Sequence, residues 1–376
     1  MIPPNPFALG PMAILLALLA VTSIAGSFRV GRPPFVLAIA TSIAGLGGAL
    51  GWSEGSYAGM VVTWTALVSL VLLVLVLPVT LLLRAAQKPG RKTPDEPEAP
   101  RMGRRELVLR GASFALPAVA LAGGPTALWE ATSPTKVRRL PLKVPGLPSS
   151  LAGTCILHLS DLHLGSSKTS DDLRALLDGA RKPDLVLVTG DVADDLGELG
   201  RALDLLGGFG PPVYASLGNH EYFRGVERVV ALFRDSGVRL LRDAHEIVRV
   251  RGTDVVLAGI DDPGFGAPTD AFFERAIDRA LLGAPSRAFR ILMSHRPRAL
   301  DAASRRDVGL VLSGHTHGAQ LGLLGRSLLE PLLPREYLWG RYQRRTTTLY
   351  TSSGFGHWFP FRLGCPPEAP CIELAP

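Results

Sequence analysis

Hydrophobic and polar positions follow two different patterns along the chain, and the change falls near residue 131. Before it lie three uncharged apolar stretches, Phe7–Phe28, Phe35–Trp52 and Tyr57–Leu83. Each is near or above the roughly 20 residues that a helix needs to cross the hydrocarbon layer, so three crossings are expected. The second is the shortest and carries Gly45, Gly47, Gly48 and Gly51; the third carries Pro78, a natural kink point. Buried helices of a large soluble protein are the alternative, but core helices rarely run this long without a charge. Lys88–Arg101 is polar and proline-rich, with no apolar period, and reads as a linker. Arg104-Arg105 then precede a fourth uncharged stretch, Gly111–Trp129. That stretch reads either as a fourth crossing after a basic loop or, although it is internal, as a twin-arginine export segment.

After residue 131 short β-rich runs take over: Thr154–Leu159, Asp184–Thr189, Pro212–Leu217, Asp254–Ile260, Phe289–Ser294 and Val308–Ser313. Helix-period segments lie between several of them, including Asp171–Ala180, Leu196–Leu206, Gly225–Asp235 and Asp270–Leu282. The strands are mostly continuous apolar runs, the pattern of strands covered by helices or by a second sheet on both faces. This predicts an α/β domain over 131–376, preceded by transmembrane helices over 1–84, a basic linker over 85–110 and the fourth apolar segment over 111–130.

Composition sharpens the division. Hydrophobic residues make up 47% and charged residues 19%, with a mean hydropathy of +0.24, which excludes a disordered chain and argues against a wholly soluble one. The net charge is +7, and much of the surplus sits around the linker, where residues 84–110 hold eight basic and four acidic side chains. The surplus after residue 131 is too weak to point to nucleic acid, so none is expected as a partner. Read as an orientation signal, Arg29 and Arg32 in the first loop, Glu54 in the second and the basic third loop put the N-terminus outside. A fourth crossing would then place the α/β domain outside the cytoplasm. Three cysteines, Cys155, Cys365 and Cys371, exclude a disulfide-stapled miniprotein and lack zinc-knuckle spacing. Cys365 and Cys371 are able to pair in an oxidising compartment, although spare thiols are the simpler expectation.

The candidate chemistry sits just after the expected strands, where open α/β sheets gather ligands. Five motifs appear in order: Ser160-Asp161-Leu162-His163, Gly190-Asp191-Val192-Ala193-Asp194, Gly218-Asn219-His220-Glu221, Ser294-His295-Arg296-Pro297 and Gly314-His315-Thr316-His317. Each alone is weak. Together they set carboxylates, an amide and imidazoles at strand ends, a placement that marks metal or catalytic sites. In an extended segment residues i and i+2 share a side, which would let Asp161 with His163, and His315 with His317, grip one ion each. Gly190, Gly218 and Gly314 would let the backbone turn tightly beneath the metals.

These motifs, in this order, resemble those of the calcineurin-like metallophosphoesterases. The membrane-attached bacterial branch is the most similar, through Ser160–Gly165, Gly218–Tyr222 and Ser313–Gly318, with the tail Tyr350–Gly356 and Pro360–Arg362. One departure is Ala319, where that branch usually has a second Gly. The resemblance implies a calcineurin-like β-sandwich flanked by helices. It also implies a dinuclear centre in which Asp161, His163, Asp191 and His317 hold one ion, while Asn219, His295 and His315 hold the other and Asp191 bridges both. Mixed nitrogen and oxygen ligands suit two divalent ions among Mn, Fe and Zn. Such a pair binds a bridging hydroxide that attacks phosphorus. His220 would protonate the leaving oxygen and Asp194 would orient it, with a helix N-cap as the other reading of Asp194 and with Asp195 an equal candidate for that cap. The implied substrate is a phosphodiester or a phosphorylated lipid; a phosphomonoesterase, a protein phosphatase or a non-catalytic membrane protein are the alternatives. Arg296 is either a phosphate contact or a surface arginine. Leu321–Arg345 mixes leucines with arginines, and reads either as an anionic-lipid interface or as a cap packed over the sheet edge. The motifs leave the oligomeric state unknown.

Overall fold

The computed structural model describes residues 19–21, 23–24, 32–53, 57–86, 104–357 and 360–376. Lys88–Arg101 and most of Phe7–Phe28 lie outside the described residues. The chain divides into two compact units between Trp129 and Glu130.

In the first unit three long helices are described: α1 (Arg32–Ser53), α2 (Tyr57–Ala85) and α3 (Arg104–Thr132), the last three residues of α3 belonging to the second unit. Small residues bring them together. A Cβ on Gly48 would lie 2.9 Å from the Gly59 carbonyl, and one on Gly124 would lie 2.1 Å from the Thr65 carbonyl, so only glycine permits these approaches. Ser69 Oγ donates to the Leu121 carbonyl at 2.9 Å. Among the described helices one stretch, Gly59–Ala85, is long and apolar enough to cross a membrane; Phe35–Leu50 is apolar but shorter. Gly111–Trp129 is helical, with Pro117 and Pro125 inside its helix. Most of Phe7–Phe28 lies outside the described residues, so the expected count of about three or four crossings stays an expectation.

The second unit is a sandwich. β1 (Val137–Lys143), β2 (Cys155–Leu159), β3 (Leu185–Thr189), β4 (Val213–Ser216) and β5 (Arg239–Leu240) belong to the first sheet. β6 (Ala244–Val250), β7 (Thr253–Gly259), β8 (Phe289–Met293) and β9 (Leu310–Ser313) begin the second. β10 (Gly322–Leu323) and β11 (Arg326–Ser327) form a separate hairpin, β12 (Gly340–Arg344) and β13 (Thr347–Thr351) complete the second sheet, and β14 (Ala369–Ala375) returns to the first. The sheet orders are β1-β14-β2-β3-β4-β5 and β12-β13-β9-β8-β7-β6. The central runs β2-β3-β4 and β7-β8-β9 are parallel.

Alternation along the strands explains the layers. Leu157, Leu159, Val186 and Val188 face the helices α4 (Ser170–Gly179) and α5 (Leu196–Gly207). Their neighbours Ile156, Leu185 and Leu187 meet Leu257, Ile291, Met293, Leu310 and Leu312 between the sheets. Ala258, Leu292 and Val311 cover the far face against Asp270–Ala280 and Ala299–Ala303. Continuous apolar runs were therefore required, because each central strand is buried on both faces.

Cys155 on β2 and Cys371 on β14 form a disulfide, with Cα atoms 5.9 Å apart, and Cys365 is the free, buried thiol. This corrects both expectations, the Cys365–Cys371 pair and spare thiols, since Cys371 pairs with Cys155 and Cys365 alone is free. β14 pairs antiparallel beside β2, which sets Cys155 near Cys371 across the ladder although 216 residues separate them in sequence.

Candidate metal centre

The candidate ligands all follow the carboxyl ends of parallel strands, three loops from the first sheet and two from the second. β2 leads to Asp161 and His163, β3 to Asp191, β4 to Asn219, β8 to His295, and β9 to His315 and His317. All seven are buried or nearly so.

Their convergence has a different cause from the i, i+2 spacing of an extended strand. Asp161 (φ +51°), His163 (+46°), Asp191 (+52°), His315 (+70°) and His317 (+49°) all occupy the left-handed region. That conformation is uncommon for a residue with a Cβ, and where it persists the surroundings over-determine it, as at functional sites. The extended backbone behind the same-face expectation is therefore absent: left-handed residues curl the loops inward, bringing Asp161 and His163 together as expected but leaving His315 and His317 in different donor sets. Ala319, where the resemblance leads one to expect Gly, also has φ +53°. Of the three glycines, Gly190 adopts φ +83°. The other two serve close approach: a Cβ on Gly218 would lie 2.2 Å from Asp191 Oδ1, and one on Gly314 would lie 2.0 Å from Asp161 Oδ2.

The ring nitrogens turn toward shared points. His163 Nε2 lies 3.2 Å from His317 Nε2, and His315 Nδ1 lies 3.1 Å from His295 Nε2. Asn219 Oδ1 is 3.1 Å from His295 Nε2. Asp191 Oδ2 stands between the two groups, 3.2 Å from His295 Nε2 and 3.8 Å from His163 Nε2. Three sets have donor atoms mutually within 4.8 Å: Asp161, His163 and His317; His163, Asp191 and His220; Asp191, His295 and His315. Lone pairs of nitrogen and oxygen converging in a buried pocket fit divalent cations.

Burial disfavours charge on all these groups, and neighbours decide which rings overcome it. At His295 the Asp191 charge and hydrogen bond outweigh burial and hold the pKa up at about 10. At His163 Asp194 and Asp191 do the same, to about 9. At His315 and His317 burial prevails, reinforced by His295 and His163 respectively, and both fall well below the ordinary value. Each close pair thus couples a ring that favours a proton with one that does not. Asp191 is held well below the carboxylate range, because His295 more than offsets its burial.

His220 and Asp194 sit beside these groups. His220 Nδ1 is 2.5 Å from Asp194 Oδ1, and Asp194 Oδ2 is 3.2 Å from His163 Nδ1. Arg224 Nη2 donates to Asp194 at 3.3 Å. Burial would raise the Asp194 pKa, but His163 and His220 pull it well below the usual range. The N-cap of α5 is Asp195, which accepts from the Glu198 amide at 3.0 Å, so the two aspartates divide the roles that the sequence left open. His220 also falls within reach of His163 and Asp191 as a potential donor, beyond its expected acid role.

Three positioning groups had been given no role from the sequence. The buried Glu221 carboxylate accepts from the amides of Gly218 (2.7 Å), Asp191 (2.9 Å) and Val192 (2.8 Å), tying the β3 loop to the β4 loop. Its place in the third motif was the only signal. Ser160 Oγ donates to Asp161 Oδ2 at 2.5 Å. Arg362, fully buried, lies 3.2 Å from His317 Nδ1 and donates to the Gly356 carbonyl at 2.6 Å. The tail motif acts through the backbone: Phe355 and Gly356 amides donate to the Ser160 and Asp161 carbonyls at 2.9 and 2.8 Å. Arg296 is not a surface arginine: its largely buried guanidinium grips the buried Asp262 at 2.8 and 3.2 Å. His158 is buried against Thr189 Oγ1 and its pKa falls to about 3 through burial. His245 bonds the Ala280 carbonyl.

A family model of the calcineurin-like phosphoesterases matches residues 155–319, the stretch that carries all five motifs. The chain is 32% identical over 268 residues to a transmembrane protein with a metallophosphoesterase domain from Danio rerio, covering 66% of this chain and 59% of that one. An uncharacterized metallophosphoesterase of Helicobacter pylori is 30% identical over 261 residues, 66% of each chain, so this chain spans about two thirds or less of both relatives. An uncharacterized metallophosphoesterase of Bacillus subtilis is 30% identical over 288 residues, 73% of this chain and 98% of its own length. With the similarity running across nearly the whole of that relative, and with the five motifs meeting in one buried cluster, the chain belongs to the calcineurin-like metallophosphoesterases.

Proposed function

We propose that this chain is a membrane-anchored phosphoesterase that hydrolyses a phosphodiester or a phosphorylated lipid at a dinuclear metal centre. The observation that carries the reading is the position of Asp191, whose Oδ2 stands between two separate groups of converging donors. Asp161, His163, Asp191 and His317 would hold one ion, and Asn219, His295, His315 and Asp191 the other. Divalent cations there supply Lewis acidity and lower the pKa of an attacking water. The chain's own residues do the rest. Asp194 fixes the His220 ring through Nδ1, which orients the imidazole to give a proton to the leaving oxygen. His163 and His220 hold Asp194 in its ionised form, and Arg224 donates to it at that place. Glu221 keeps the two loops that carry Asp191 and Asn219 at a fixed separation.

The Cys155–Cys371 disulfide supports a catalytic unit outside the cytoplasm, because such bonds persist in oxidising compartments. A topology reporter fused after Pro376 tests this, and a signal confined to the cytoplasm would reject it. The hydrolase reading is tested with a panel of phosphodiesters, phosphomonoesters and phospholipids, with Mn, Fe or Zn supplied. His220→Ala should lower kcat by about 10²–10⁴-fold while metal content stays at the wild-type level. Equal turnover would remove the acid role, and lost metal would make His220 a ligand instead.

A further inference from the structure

The segment between the last ligand loop and β12 divides in two. Tyr337, Leu338 and Trp339 are buried, and Trp339 Nε1 donates to the buried Glu368 carboxylate at 3.2 Å. That part is the packed cap. The preceding part is the reverse: Leu323, Leu324, Leu328, Leu332 and Leu333 are exposed, Leu324 by 94% and Leu332 by 76%. Leu324 and Gly325 form the two-residue tip of the β10–β11 hairpin, and both have positive φ, +50° and +78°. Such a type I′ tip ordinarily takes Asn or Gly. Here it holds a large apolar side chain in a conformation that costs free energy, and points it at solvent rather than into a core.

We propose that this hairpin and the turn after it, residues 321–333, form a docking surface for an anionic lipid bilayer. Charge selects that occupant. Residues 321–345 carry five arginines and two glutamates. Arg335 and Arg344 are held by Asp270 and Asp301. Arg326 stacks 5.0 Å above the Tyr342 ring, and with Arg341, Glu330 and Gln343 lines one shallow cavity beside the leucines. Arg326 also pairs with Glu330 at 3.4 Å, whereas Arg341 bonds the neutral Gln343, so Arg341 remains as surplus positive charge beside the apolar patch. Apolar side chains flanked by arginine suit the boundary between acyl chains and anionic headgroups, where a basic residue adds to the attraction. The apolar helix α2 belongs to the same chain, so a bilayer is a partner held at high effective concentration. The hairpin continues directly from the His317–Gln320 turn. If the phosphoesterase reading holds, the surface favours a substrate taken from the bilayer, but the docking itself does not depend on that reading.

The test uses the full chain in lipid nanodiscs, one copy per disc. Leu324→Cys gives a thiol that can be labelled with an environment-sensitive fluorophore, since Cys155 and Cys371 are paired and Cys365 is buried. In discs containing phosphatidylglycerol, doxyl-labelled lipid should quench the probe at least about threefold more than in phosphatidylcholine discs, and Arg341→Glu should abolish the difference. A probe at Leu282→Cys, an exposed leucine outside the patch, should show no such quenching. A Leu324 probe that stays open to aqueous iodide and unquenched in both lipids would overturn the proposal. So would shielding without lipid quenching that appears only in discs holding two copies, which would assign the patch to self-association. Neither result depends on turnover, so failure here leaves the hydrolysis test standing.

Discussion

The two sheets contribute unlike halves to one cluster. The first sheet's loops bring both carboxylate ligands, the amide and one imidazole, His163, and the shape of the carboxylates' surroundings is set by hydrogen bonds to backbone: Glu221 gathers three amides, Asp191 Oδ1 accepts from the His220 amide at 2.9 Å, and Asp161 Oδ1 accepts from the His315 amide at 2.9 Å. The second sheet's loops bring imidazoles only. His295 is tied to the Thr189 carbonyl through Nδ1 at 2.8 Å, and His317 to Arg362, while the remaining nitrogens face other rings. The carboxylate half is built by the protein alone. The imidazole half directs nitrogens at one another and at His163 of the first sheet, an arrangement completed by a proton or a cation. Metal affinity and folding stability should therefore respond differently to changes in the two halves.

The sharpest way to break the comparison is at the seam. Gly314 of the second sheet's loop lies so close to the first that an added Cβ would stand 1.9 Å from Ser160 Oγ and 2.0 Å from Asp161 Oδ2. Gly314→Ala must displace one of these groups. Misplacement of about 1 Å at a reacting centre costs on the order of 10²-fold, so activity should fall by at least about 100-fold. Metal content measured on the purified variant should fall with it. Full activity with both ions retained would mean that the two halves act independently.

Glu221→Gln strikes the carboxylate half alone. Glutamine keeps the shape but replaces one accepting oxygen with a donor group facing an amide, which leaves a buried amide unsatisfied. The cost should be about 1–3 kcal/mol, seen as a Tm lower by roughly 5 °C. Because this bracing does not involve a cation, the drop should persist in EDTA. A drop that vanishes with chelator would show that the half is shaped by metal after all.

The legibility of the molecule follows the same division. β2, β3, β4, β7, β8 and β9 were readable because burial on both faces demands unbroken apolar runs. β1 was not, since its sequence Val137-Arg-Arg-Leu-Pro-Leu-Lys143 lies at the sheet edge with four positions largely exposed. β12 is an edge strand too, and its Gly340-Arg-Tyr-Gln-Arg344 carries no apolar period. The nine candidate side chains were nameable from motif order, but their convergence was not derivable from spacing. It depends on left-handed residues at Asp161, His163, Asp191, His315 and His317, and nothing in a carboxylate or imidazole announces positive φ. Arg362 is legible in the sequence only as part of a tail motif, because its partner His317 lies 45 residues away. The disulfide was hidden for the same reason: β14 is the last strand in sequence and yet lies beside β2.

The mildest test addresses the imidazole half. Arg362 holds His317 through Nδ1 and also serves the carbonyls of Gly354, Gly356 and Cys365. Arg362→Lys keeps a charge in the buried position but gives up the planar fork, so fewer of these acceptors are met at once. Groups that orient a metal-ligating imidazole typically contribute 10–100-fold to metal affinity, and a charge-conserving change should lose about tenfold or less. Calorimetric titration of the metal-free chain with Zn²⁺ or Mn²⁺ should show one of two sites weakened and the other unchanged, with Tm in EDTA close to wild type. Weakening of both sites equally would mean that Arg362 supports the whole cluster, and the division of the centre into a self-supporting half and a cation-completed half would then fail.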